Sequence, residues 1–119
     1  MDDEPVSNDV LLVLSTAASR EEGIGIGRRL VEERLAACVN VVPGARSVFF
    51  WEGELQETDE TLLMIKTRRD RYADLERRIQ ALHSYSVPEI LAVPIASGSQ
   101  EYVAWVRASA SPGGGELQP

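Results

Sequence analysis

"ACVNVVPGARSVFFWEGELQETDETLLMIKT", residues 37–67, lies between two stretches of helical periodicity and decides what kind of sheet this chain builds. Its first part, 37–55, is β-branched and aromatic, interrupted only at Pro43 and Gly44, where a bend or bulge is expected. "QETDE" (56–60) reads as a polar connection and "TLLMIKT" (61–67) as the returning strand, so the segment is a long hairpin. If the hairpin turns about "ETDE", pairing places Lys66 roughly opposite Trp51, where a cation and a π face can meet; the ordinary alternative is a lysine snorkelling at a strand edge.

Outward from the hairpin, the pattern alternates. "DVLLVLSTA" (9–17) is a short Val- and Leu-rich run that predicts a strand. "SREEGIGIGRRLVEERLA" (19–36) opens with Ser19 and Glu22 at capping-box spacing and carries Ile24, Val31 and Leu35 at helical spacing. On the other side, "DRYADLERRIQALH" (70–83) sets Tyr72, Leu75, Ile79 and Leu82 on one helical stripe, with Asp70 as a plausible N-cap. "PEILAVPIA" (88–96) is a fourth strand whose Pro94 cannot donate to a ladder and so marks a strand end or an unpaired edge. "SQEYVAWVRAS" (99–109), capped by Ser99, completes the chain with a short helix.

The order β-α-β-β-α-β plus a C-terminal helix, with right-handed crossovers, predicts an α+β fold: a ferredoxin-like split β-α-β sandwich with two helices on one face of a four-stranded antiparallel sheet. Its strands are apolar on both faces ("VLLVL", "LLMI", "ILAV"), and one short extra helix cannot cover four strands. The second face therefore calls for the same face of other subunits in a closed symmetric oligomer.

With 119 residues, 44% of them hydrophobic, the chain supports one domain, expected over 9–108, with 1–8 and the Gly- and Pro-containing tail 109–119 loose. The formal charge of −7 repels a phosphate backbone, which argues against nucleic acid. An acidic N-terminal stretch, no long apolar run and a single cysteine point to a cytoplasmic protein with no membrane segment, no disulfide and no Cys-x-x-Cys site.

Candidate chemistry is sparse. "GIGIG" (23–27) begins like a dinucleotide fingerprint, but Arg28 stands where the third glycine belongs, and the cap at Ser19 puts these glycines inside a helix; close helix packing is the ordinary reading. Cys38 is a soft metal ligand or reactive thiol if it is not simply a small buried apolar residue. His83 follows the last stripe residue, where it can cap helix carbonyls. The topology starts the strands carrying Cys38 and preceded by His83 from opposite ends of the sheet, which disfavours a nucleophile–base pair or a closed metal shell within one subunit. No enzyme is expected.

Taken together, "AACVNVVPG" (36–44), "SVFFWEGEL" (47–55), "LLMIKT" (62–67), "LHSYSVPEILAVPI" (82–95) and "YVAW" (102–105) resemble the CutA divalent-cation-tolerance family across nearly all of 9–108. The resemblance implies a ferredoxin-like homotrimer, cytoplasmic in bacteria, connected with tolerance of copper and other divalent cations. It implies no required cofactor, with copper or another divalent cation as a candidate ligand. The family's recurring polar positions fall on Cys38, Trp51, Glu52, Lys66, His83, Tyr85 and Glu89. From these, Cys38 and His83 are the expected metal ligands, and Trp51, Glu52, Lys66, Tyr85 and Glu89 the expected small-ligand residues at clefts between subunits. The alternative is a signalling or scaffolding trimer that binds a protein partner, with metal effects indirect. Ser84 departs from the family's usual proline and predicts a looser turn after His83; the three glycines of the first helix are a second departure.

Overall fold

The computed structural model describes residues 9–112; the readings of 1–8 and 113–119 as loose lie outside the described residues. Strand β1 (Val10–Ala17) feeds helix α1 (Arg20–Glu32), and β2 (Cys38–Trp51) and β3 (Glu54–Arg68) form the hairpin. Helix α2 (Tyr72–Leu82), strand β4 (Ile90–Pro94) and helix α3 (Gln100–Ser109) follow. The sheet is antiparallel in the order β2-β3-β1-β4, which is the ferredoxin-like arrangement read from the sequence. Among the described residues no helix is long and apolar enough to cross a membrane.

Capping chemistry starts two of the helices as expected. Ser19 Oγ accepts the Glu22 N–H at 3.0 Å, and the Glu22 carboxylate reaches back to the Ala18 N–H at 3.0 Å. Ser99 Oγ accepts the Tyr102 N–H at 3.2 Å. Asp70 does not cap α2: it sits in a 3-10 turn over Arg69–Arg71, where its carboxylate accepts from the Arg68 guanidinium at 2.6 and 3.0 Å, and Arg71 occupies the cap position, its side chain donating to Arg34 O at 3.2 Å instead of capping the helix.

The α2 stripe packs as read, with Leu75 and Ile79 fully buried and Tyr72 and Leu82 against the same core. The α1 stripe does not. Its buried face is Gly23, Ile26, Gly27 and Leu30, whereas Ile24 is only half-buried and Val31 is exposed; Leu35 is buried beyond the helix end. The reason is proximity. A Cβ on Gly27 would stand 3.2 Å from Val39 Cγ1, and one on Gly23 would meet Leu63, Thr61 and Val41 at 3.1 to 3.2 Å. The helix lies so close to β2 and β3 that glycine, invisible to a count of large apolar side chains, forms the contact.

The hairpin turn is also not where polarity suggested. Glu52 and Gly53, with φ of 52° and 82°, make the two-residue turn, and Trp51 pairs with Glu54. Residues 56–60 belong to β3, so Lys66 faces Cys38 and not Trp51. β1 ends opposite Thr61, and the hairpin beyond it projects as a bare two-stranded arm. Such an arm has no core to cover, so polar residues are tolerated in its strands; Arg46 bridges Asp59 at 2.9 Å and Glu57 at 3.3 Å across the ladder. The expected irregularity is present: register slips between Val42 and Ala45, where Gly44 has φ of 95°.

Pro94 ends edge strand β4, as a residue without an N–H should. α3 packs Val103 and Val106 on Val10, Ala37 and Ala110, so the packed unit runs at least to Ala110. The rest of the sheet face opposite α1 and α2 has no cover among the described residues. Leu12, Leu14, Leu62 and Met64 are half-buried there, and Val42, Leu91 and Val93 are exposed.

Candidate functional site

Strand alternation after the bulge puts Phe49 and Trp51 on the same face of the arm as their partners and neighbours Gln56, Thr58 and Glu60, continuous with the uncovered sheet face. The turn after α2 brings a second wall. Between them lies an open cleft of about 640 Å³ whose lining includes Phe49, Trp51, Glu60, Tyr85, Val87 and Glu89.

The second wall is held by His83 and Glu22. α2 terminates at His83, whose extended backbone (φ −80°, ψ 145°) turns the chain while its N–H still bonds Ile79 O. The ring is fully buried: Nε2 donates to Thr16 O at 2.6 Å, and Nδ1 accepts the Tyr85 N–H at 3.0 Å. These two bonds specify the neutral Nε2–H tautomer, because a backbone carbonyl only accepts and a backbone N–H only donates. Glu22 Oε2 lies 3.8 Å from Nδ1 and accepts the Ser84 N–H at 2.8 Å. Burial pushes the Glu22 carboxyl up, but its bonds from the Ser84 and Ala18 N–H groups, with a further bond from the Ser84 side chain, prevail and hold it below its usual range. The departure at Ser84 thus supplies a backbone donor that proline lacks, and the turn is pinned rather than loosened.

Tyr85 closes the cleft floor. Its ring leans on His83 at a centroid distance of 4.7 Å, and its hydroxyl donates to Glu60 Oε2 at 2.6 Å. Ser47 donates to the other Glu60 oxygen at 2.5 Å. Burial first, then the Glu60 bond and the charges of Glu60 and Glu22, push the Tyr85 phenol up to about 12, so it remains a donor.

Of the ligand residues read from the sequence, Trp51, Tyr85 and Glu89 meet at this cleft. Glu52 is exposed at the hairpin turn. Lys66 is far from the cleft, bonded to Asn40 and cross-strand from the half-buried Cys38. Burial, and after it the charge and hydrogen bond of Cys38, raise the Tyr102 phenol. Cys38 and His83 are not brought together: Cys38 is level with Leu12 and His83 with Thr16, roughly 13 Å along the sheet at ~3.3 Å per residue, and strand β3 lies between Cys38 and Thr16. Among the described residues no three His, Cys, Asp or Glu side chains group into a metal-binding set.

Sequence reasoning missed Glu60 and Glu22. Glu60 was read as part of a loop; moving the turn to Glu52–Gly53 gives it the parity of Trp51's face. Glu22 carried only a capping signal, since its bond to Ser84 spans 62 positions in the chain.

Comparison with known proteins agrees with this architecture. Residues 11–109 match the family described as CutA1 divalent ion tolerance protein. The chain is 51% identical over 96 residues to the divalent-cation tolerance protein CutA of Thermus thermophilus, covering 81% of this chain and 93% of that one. It is 44% identical to the chloroplastic protein CutA of Arabidopsis thaliana, covering 83% of this chain and 54% of that longer one. The crystal structure of CutA from Xylella fastidiosa superposes with a TM-score of 0.85 at 40% identity, covering 87% of this chain and 99% of that one. With a matched family spanning the whole sheet and all three helices, this chain belongs to the CutA1 divalent ion tolerance family.

Proposed function

We propose that the chain is a non-enzymatic, cytoplasmic homotrimer that serves divalent-cation tolerance by holding a cation or small ligand where its cleft meets a neighbouring subunit. The carrying observation is the convergence of Trp51, Tyr85, Glu60 and Glu89 at a cleft that opens onto the uncovered apolar sheet face. Burial of that face by two further copies brings neighbouring subunits to the cleft's edge. The description of the family as divalent ion tolerance proteins, which names no catalysed reaction, supports a binding role. The lone cysteine accords with a reducing compartment.

Copper is the proposed metal, with Cys38 as its soft ligand. His83 supplies a nitrogen only on release from Thr16 and Tyr85, so the metal reading places its weight on Cys38. Native mass spectrometry of metal-free protein, given limiting copper against zinc, tests this. The proposal expects a species near three times 13.1 kDa that takes copper in a fixed ratio, and loss of that uptake in Cys38→Ser. Unchanged copper affinity in both Cys38→Ser and His83→Ala removes the metal assignment.

A second reading, a scaffolding trimer for a protein partner, is favoured by the other face of the arm, where Val48, Phe50 and Leu55 are exposed at 59%, 72% and 60%. It expects scattered, zinc-competable copper adducts and a stoichiometric partner in pull-downs.

A further inference from the structure

The cleft's chemistry selects among small ligands. Its walls are the rings of Phe49 and Trp51, whose faces carry negative electrostatic potential, together with the carboxylates of Glu60 and Glu89. Among the described lining residues none is basic. The Tyr85 hydroxyl and the Ser47 hydroxyl beside it are both spent on Glu60, one to each oxygen, so they anchor the carboxylate instead of offering donors to a ligand. The expected cation partner for Trp51, Lys66, is absent because the true hairpin turn pairs it with Cys38. What faces the cleft is therefore π surface, two carboxylates and the neutral side chains of Gln56, Thr58 and Ser86, on a chain of net charge −7.

We propose that this cleft binds a small organic cation, an alkyl- or quaternary ammonium with an apolar body, its charge against Glu60 and Glu89 and its alkyl groups against Trp51 and Phe49. An anionic ligand is repelled by both carboxylates. A bare divalent metal ion uses the oxygens but leaves the aromatic wall idle, whereas an ammonium with methyl or methylene groups uses both. The inference rests on the reading of this cleft as the ligand site and names the class of ligand it takes.

The test is calorimetric titration of the full-length oligomer with choline and, separately, with its uncharged tert-butyl isostere, with Trp51 fluorescence as a second readout. Saturable choline binding is expected, about tenfold tighter than the isostere, and weakened roughly fivefold or more by either Trp51→Leu or Glu89→Gln. Both positions are exposed, and circular dichroism and sizing show whether each variant keeps its fold and assembly. Equal affinity for choline and the isostere, or binding unchanged in both variants, overturns the proposal. So does displacement of choline by equimolar magnesium, which assigns the carboxylates to a metal. No choline binding alongside intact copper uptake that depends on Cys38 overturns the ligand class while leaving the tolerance reading standing.

Discussion

Tyr85 donates its phenolic hydrogen to Glu60 across 2.6 Å, tying the turn after α2 to the base of the hairpin arm. One short bond thus joins segments 25 residues apart and sets the separation of the cleft's two walls.

Removing it is a clean test of that role. Tyr85→Phe is expected to lower stability by about 1 kcal/mol, read from the urea midpoint at constant slope, because Glu60 keeps Ser47 and solvent as partners. In the parent protein the phenol's pKa is raised in the folded state, so its stabilising contribution is complete below the ordinary tyrosine pKa and fades as pH rises through about 12. All three phenols are raised, Tyr85 up to about 12, and ultraviolet titration should show the latest-ionising tyrosine move to lower pH in Glu60→Gln.

Glu22 gives a prediction of opposite sign. Glu22→Ala removes the acceptor of the exposed Ala18 and Ser84 N–H groups, which then turn to water, and should cost about 1 kcal/mol near neutral pH. Because the folded-state carboxyl is held below its usual range, this contribution is present above that range and is lost as pH falls through the folded value. Parent and variant denaturation midpoints should therefore converge on acidification; a constant gap from neutral to strongly acid pH contradicts the assignment.

Ser84→Pro separates the backbone from the bond. His83 already has the extended conformation a following proline requires, and proline restricts the unfolded chain. The loss of the backbone and side-chain donors to Glu22 opposes that gain, so net stability should change by less than about 1 kcal/mol while the acid dependence shrinks.

The α1 glycines should respond by position. Gly25→Ala, whose added methyl meets nothing within 4 Å, should stabilise by about 1 kcal/mol. Gly23→Ala, hemmed in by Leu63, Thr61 and Val41, should fail to stabilise or should destabilise, since three neighbours must yield together. Equal stabilisation by both substitutions, measured by thermal denaturation, contradicts the close packing of α1.

The uncovered sheet face carries the assembly prediction. Leu14→Asp places a charge at the centre of that face without touching the helix-side core, and should convert a species near three times 13.1 kDa into monomer in native mass spectrometry. Retention of the parent mass by this variant places the subunit contact elsewhere.

The sequence by itself determined the order of strands and helices, the caps at Ser19 and Ser99, the bulge near Gly44 and the edge position of Pro94, because hydrophobic period, capping oxygens and missing N–H groups act within a few residues. It also determined the family, through motifs that run the length of the domain. It misplaced the hairpin turn because polar residues were read as loop, where the deciding quantity was the positive φ at Glu52 and Gly53. It misread the α1 face because glycine contributes by what it lacks. Only the tertiary structure decided that Glu60, and not Lys66, joins Trp51 at the cleft, that Glu22 holds the turn at Ser84, and that His83 spends both ring nitrogens on backbone. Those relationships are long-range: the position of the hairpin turn sets which β3 residues lie along the arm beside Trp51, and contacts between residues 62 and 67 positions apart carry no local periodicity by which to read them.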